Sequence, residues 1–339
     1  MSFDIHRGTN ISHFLSQSPR RGTEREQQFT RADFDRLVEL GVDHLRLPID
    51  EEQMWDHQGN RQPAAWDLMN RTLDWCDQAD IRCVVDLHIL RSHYFNDPSD
   101  KKTLFLDEAE AEKFARFWVD LSNEMKHRPV EKVAYELMNE PVADDPADWN
   151  RVYRYPYHAV REREPERTIL IGSNSWNQAA TFPELDIPQG DRNIILVFHY
   201  YNSMIITHYE QKYVPEVKDY HGPIQYPGRP IPTEVFEKLP EQQQRMLEKW
   251  NRPFGPDAME QDIAPALQVA GKHGLKLYCN EFGVNRSVPE DIRERWCRDF
   301  RAVLEGHDIA WANWDYRGGF GLYDRENDEP TGILRGLFG

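Results

Sequence analysis

The chain has 339 residues, 39% of them hydrophobic, with 41 Lys and Arg set against 58 Asp and Glu, a formal net charge of −17. That balance argues against nucleic acid and anionic membrane surfaces as partners, since basic side chains hold both. No run approaches the roughly 18 consecutive apolar residues of a membrane span, and this length suits either two domains or one large α/β barrel. The opening "MSFDIHRGTN" has no positive stretch followed by an apolar one. The chain therefore reads as cytoplasmic as it stands, or as secreted if a leader has been removed. Cys76, Cys83, Cys279 and Cys297 form neither a C-x-x-C pair nor a cluster with His, so reduced and mostly buried cysteines are expected rather than a disulfide framework.

Short apolar runs alternate with segments of 3.6-residue period, and this orders the chain. A first strand, "DIHRGTNIS", leads to a helix, "TRADFDRLVELG", with Thr30 and Asp33 as a capping box and Gly41 as its stop. Strand 44–49 and a helix over 66–80 follow, then strand 82–88 and helix 109–126. Strand four, "KVAYELMNE", precedes one long helix over 145–166 that Pro156 is expected to kink. Strands 168–174 and 193–201 come next. Helix 257–274 leads into strand seven, "KLYCNEFG", and helix 289–307 into strand eight, "IAWANWDY". Eight near-continuously apolar strands separated by helices indicate parallel strands covered on both faces. The fold class expected is α/β, a single (β/α)8 TIM barrel over residues 1–339. An open doubly wound sheet would want a G-x-G-x-x-G turn after strand one, and "RGTNISHF" lacks it. Residues 203–255 form a long insertion after strand six, rich in Pro and Tyr. An ordered cover over the active-site face is expected there.

The strand ends are polar where a buried barrel should be apolar. Strand two carries Arg46, strand three ends in His88 and strand four in Asn139-Glu140. Strand six ends in His199-Tyr200-Tyr201, strand seven in Glu281, and strand eight carries Trp311, Trp314 and Asp315. In such barrels the chemistry gathers at the C-terminal ends of the strands, and unpaired charge there is costly. Two carboxylates facing each other across a pocket suit glycoside hydrolysis, one protonated to donate to the leaving oxygen and one ionised to attack. Arg46 can keep one of them ionised and Tyr201 can orient it. A Trp suits the apolar face of a sugar ring. Trp311, of opposite parity to Trp314, is expected to pack against the helices. Glu136 is read as an ion-paired residue between barrel and helices.

Six pieces, "HLRLPI", "VVDLH", "YELMNEP", "FHYYN", "YCNEFG" and "WANWDY", stand in an order that resembles glycoside hydrolase family five, the cellulase-type retaining glycosidases. Overall spacing is most similar to that of small single-domain bacterial endoglucanases. The resemblance implies Glu140 as general acid/base and Glu281 as nucleophile, with their carboxyls roughly 5–5.5 Å apart. It implies Asn139 on the sugar 2-hydroxyl, and Arg46 and Tyr201 on the nucleophile. His199 falls beside the acid/base, His88 against the cleavage-subsite sugar and Trp314 beneath it. Asn10 at the end of strand one is a further match. His93, Tyr94, Phe95 and Trp176 lie on loops expected to set substrate choice. His88 and His199 could in principle ligate zinc, but no third ligand stands near strand one apart from His6 alone. No metal or cofactor is expected.

The expected function is retaining cleavage of β-glucosidic bonds, as an endo-β-1,4-glucanase of cellulase or lichenase type. An exo-acting β-glucosidase, a β-1,3-glucanase and a β-mannanase are the alternatives within enzymes. A carbohydrate-binding protein without catalysis is the alternative outside them. The expected partner is a β-linked glucan or oligosaccharide, with no nucleic acid, membrane or obligatory protein partner.

Overall fold

A computed structural model describes residues 3–96 and 102–339. Strands β1 (Arg7–Asn10), β2 (His44–Asp50), β3 (Arg82–Ile89), β4 (Val133–Glu136), β5 (Ile169–Gly172), β6 (Ile194–Tyr200), β7 (Lys276–Phe282) and β8 (Ala310–Asn313) run in parallel. Each pairs with the next, and β8 returns to β1 to close a barrel. The period-2 alternation of each strand sorts its side chains. Leu45, Leu47, Cys83, Val85 and Tyr135 join the layer between barrel and helices. Val84, Ala134, Leu170, Val197, Tyr278 and Ala312 fill the lower barrel interior, packed with Phe3 and Ile5 from the segment before β1.

Helices at Arg31–Glu39, Pro63–Gln78, Glu108–Met125, Pro256–His273 and Glu290–Gly306 supply the outer layer. The expected capping box is present. Thr30 Oγ1 accepts from the Asp33 N–H, and Asp33 Oδ2 accepts from the Thr30 N–H at 2.8 Å. Trp311 is fully buried and packs edge-on against Phe282 and Phe338, on the helix side as its parity required. All four cysteines are buried and unbridged. Among the described residues no helix is long and apolar enough to cross a membrane.

Two departures have physical reasons. The helix expected over 145–166 is two, Pro146–Val152 and Arg154–Arg161, parted at Tyr153. Pro156 has no N–H for the Val152 carbonyl and its ring crowds it, so the break falls one turn before the proline. Regular β4 ends at Glu136, four residues short of Glu140. The Leu137 and Asn139 N–H groups still reach the Leu170 and Leu87 carbonyls, both at 3.2 Å, so the expected path continues without regular geometry. The 203–255 insertion carries a small apolar core of its own, from Ile205, Val214, Val217, Tyr220, Ile231 and Leu247. It is tied to the chain after β7 by the Asn285 N–H on the Thr207 carbonyl and the Gln211 amide on Asn285, each at 2.9 Å.

Candidate active site

Above its apolar floor the barrel interior turns polar, and Arg46 is at its centre. It is fully buried. Nε and Nη2 grip the Glu136 carboxylate at 2.6 and 2.8 Å, Nη1 meets Glu281 at 2.5 Å, and Nη2 lies 2.9 Å from Asp86. The remaining donor directions meet the amide oxygens of Asn10 and Asn139 at 2.8 Å. A planar guanidinium that never deprotonates is suited to knit several carboxylates together in a dry interior.

Glu281 reaches this cluster through an irregularity. Tyr278 faces inward, so strict alternation would turn residue 281 toward the helices. The β6–β7 register slips at this point, from Phe198 opposite Cys279 to His199 opposite Glu281. A bulge of this kind re-aims a side chain beside a site. Gly283 closes the turn, because a Cβ there would stand 2.5 Å from the Trp314 carbonyl oxygen. Glu140 is aimed by its backbone, in the left-handed region at φ 42°, an uncommon conformation for a residue with a side chain. His93 Nε2 contacts its carbonyl oxygen at 3.0 Å.

The two glutamates meet across His199. Its Nδ1 lies 2.8 Å from a Glu140 oxygen and 3.6 Å from a Glu281 oxygen. One donor atom from each of Glu140, His199 and Glu281 falls within 4.8 Å of the others. These three are the group that could hold a cation among the described residues, although Arg46 already brings positive charge to Glu281. Tyr201 donates its hydroxyl to that same Glu281 oxygen, Oε2, at 3.1 Å, and Arg46 holds Oε1.

The electrostatics separate the two carboxyls. Burial, and then the charge of Glu281, push Glu140 well above the ordinary carboxylate range. Burial also raises Glu281, but Arg46 opposes it. Arg46 and Tyr201 touch Glu281 and not Glu140, so the proton of the pair belongs on Glu140 and the negative charge on Glu281. Burial, reinforced by Arg46, keeps His199 neutral. Burial holds His88 down to about 3 and lifts Asp86 and Glu136 each to about 7.

Arg46, Asn139, Glu140, His199, Tyr201 and Glu281 thus come together as expected; three other positions differ. Asn10 is fully buried, with its amide nitrogen on the Asn280 and Asn313 carbonyls at 2.8 and 3.0 Å and its oxygen on Arg46. It braces the cluster from behind and has no group left for substrate. His88 is 1% exposed, with Nδ1 on Asp86 at 2.7 Å and Nε2 on the Gln17 amide at 2.9 Å, so neither ring nitrogen is free for a sugar. Its ring lies parallel to Trp314, centroids 5.4 Å apart. Trp176 stands outside the cluster. It is 41% exposed, with its indole N–H on the Phe95 carbonyl at 3.1 Å.

Glu136 is corrected outright. It lies inside the barrel on Arg46 and Asn280, not between barrel and helices, because it shares the parity of inward-facing Ala134. Asp86, Asn280 and Gln17 were missed. Asp86 was readable, two residues before His88 on the same face of β3. Gln17 lies on a loop with no periodic signal.

The family model described as "Cellulase (glycosyl hydrolase family 5)" matches residues 8–319. The chain belongs to this family. It is a glycoside hydrolase on that ground. Among curated relatives of this cellulase-family chain, Endoglucanase C of Acetivibrio thermocellus is 30% identical over 318 residues, 91% of this chain and 90% of the relative. Cellodextrinase A of Ruminococcus flavefaciens is 25% identical, over 90% and 84%. The cellulose synthase subunit Z of Clostridioides difficile superposes with a TM-score of 0.78 at 22% identity, over 99% of this chain and 100% of that one, a likeness of fold.

Proposed function

We propose that the protein is an endo-β-1,4-glucanase working by double displacement with retention. Glu281 attacks the anomeric carbon while Glu140 gives its proton to the departing sugar oxygen. Glu140 then takes a proton from the water that releases the glycosyl-enzyme. The observation that carries this reading is the spacing. One carboxyl oxygen of Glu140 and one of Glu281 lie within 4.8 Å of each other, which fits carboxyl groups about 5–5.5 Å apart, as in retaining enzymes, better than the about 6.5–9.5 Å by which inverting pairs admit a water. The unequal contacts of the two groups support the same division of roles. Asn139 supports it too, since its amide oxygen is held by Arg46 while its buried nitrogen has no partner. A sugar hydroxyl would complete it. Trp314 fits as the surface under that sugar, its opposite face being covered by His88.

The whole chain acts as one catalytic domain in this reading, and the 203–255 insertion covers the barrel mouth. Its His208 supports that placement, because the ring meets Tyr201 edge-on with centroids 5.1 Å apart, and Tyr201 holds Glu281. The endo assignment leans on the likeness to Endoglucanase C. The likeness to Cellodextrinase A favours short cello-oligosaccharides as a second reading.

Hydrolysis of an aryl β-cellobioside by wild type and by Glu281→Ala tests the roles. Wild-type turnover with loss of activity in the variant is expected, and a fully active variant refutes the assignment. Product sizes from cello-, laminari- and manno-oligosaccharide ladders test the substrate. Mid-chain cleavage confined to the cello series is expected, and release of single terminal glucose units refutes endo action.

A further inference from the structure

The segment after β1 is held in an unusual backbone. His13 and Gln17 are both left-handed, with φ of 54° and 49°, a conformation that is strained for non-glycine residues and persists where the surroundings dictate it. Two links join this segment to the barrel mouth. His13 Nδ1 meets the Gln17 carbonyl at 3.2 Å, and the Gln17 amide reaches His88 Nε2 at 2.9 Å. Ser12 donates its hydroxyl to Asp315, the residue after Trp314.

Bordering this segment is a cavity of about 200 Å³ whose wall includes Ser12, His13, Gln27, Gln28, Arg317 and Arg325. A cationic wall is out of character for a chain of net charge −17. Arg317 is neutralised by Asp33 at 2.8 Å and by Asp328. Arg325 is bonded instead to a neutral group, the Gln28 amide oxygen at 2.5 Å. Arg325 is exposed and, among the described residues, has no carboxylate at ion-pair distance, while Asp315 and Glu24 act on its charge from farther off.

We propose that this cavity binds the carboxylate of an acidic sugar unit carried on the glucan, beside the cleavage point, an inference that rests on the β-glucanase reading above. A guanidinium fork matches a carboxylate in geometry as well as charge, and the amides of Gln27 and Gln28 offer partners for ring hydroxyls. The overall negative charge repels a polyanion at long range. The site therefore suits a sparsely acidic glucan rather than a polyuronate.

The test is calorimetric binding of cellotetraose and of its singly C6-carboxylated forms, one acid at each ring in turn, to Glu281→Gln protein. At least one acidic form binds about tenfold or more tighter than cellotetraose at low salt, an advantage that shrinks as salt rises. Adding Arg325→Gln abolishes the advantage, leaves cellotetraose binding and Tm unchanged, and Arg325→Lys restores part of it. The inference is overturned if no acidic form binds better, or if Arg325→Gln weakens both ligands equally. Methyl β-glucuronide, titrated alone and followed by NMR, separates this from the glucanase reading. Saturable binding that Arg325→Gln removes is expected even if cellotetraose does not bind, and no binding overturns the inference.

Discussion

Replacing Arg46 with Met removes the one positive charge that, among the described residues, pairs with Asp86, Glu136 and Glu281 in a fully buried site. Breaking a buried ion pair by deleting one partner costs about 3–5 kcal/mol, because the remaining charge is left without compensation. Here pH modulates the loss. Asp86 and Glu136 lie at about 7 in the fold, against about 3.9 and 4.3 in an unfolded chain. The folded protein retains protons that the unfolded chain releases. The stability these groups contribute is therefore present below about pH 4 and fades as pH rises toward 7, by up to ~1.4 kcal/mol per unit for each group. Without Arg46 both carboxyls rise further and the fading continues past neutrality. Urea unfolding of wild type and Arg46→Met should show a loss of about 3–5 kcal/mol near neutral pH and a clearly smaller one near pH 5. Arg46→Met/Glu136→Gln should recover part of it. A loss under about 1 kcal/mol, or one that does not change with pH, would refute the view that this guanidinium neutralises the cluster.

Glu140→Ala should lower turnover of cellotetraose by about 10²–10⁴-fold while sparing the first step on an aryl cellobioside with a good leaving group, resolved by burst kinetics. The pH profile of kcat/KM should have an alkaline limb above the ordinary carboxylate range, since Glu140 must keep its proton and its pKa is raised; Glu140→Gln should abolish that limb. Tyr201→Phe removes one hydrogen bond to Glu281 at 3.1 Å. It should cost roughly tenfold or more in kcat/KM, a bond to a charged group being worth about 1.5–3 kcal/mol, with Tm little changed. Glu136→Gln should flatten the fall of stability between about pH 4 and 7, which unfolding titrations would measure.

Much of this architecture could be read from periodicity. Alternation of apolar strands with helices is the direct imprint of strands buried on both faces, and it survives in one sequence because nearly every strand position must be apolar. Parity placed Trp311 on the helix side, and the same rule, applied to Ala134 and Glu136 or to Asp86 and His88, would have placed both acids inside. Parity fails at Glu281, where a register slip between Phe198 and His199 decides the orientation. No one-dimensional pattern records such a slip. The engagement of His88 by Gln17 was equally hidden, because it depends on a left-handed loop that carries neither glycine nor proline. The break at Tyr153 lay one turn from the proline that causes it.

Double displacement requires a covalent bond between a sugar and Glu281. Incubation with a 2-deoxy-2-fluoro-β-cellobioside bearing a good leaving group slows breakdown of such an adduct enough for peptide mass spectrometry. One fluorocellobiosyl group per chain is expected, on the peptide containing Glu281, with Glu281→Gln unlabelled. A label on Glu140 or elsewhere, or direct release of the α-anomer seen by NMR, would contradict it.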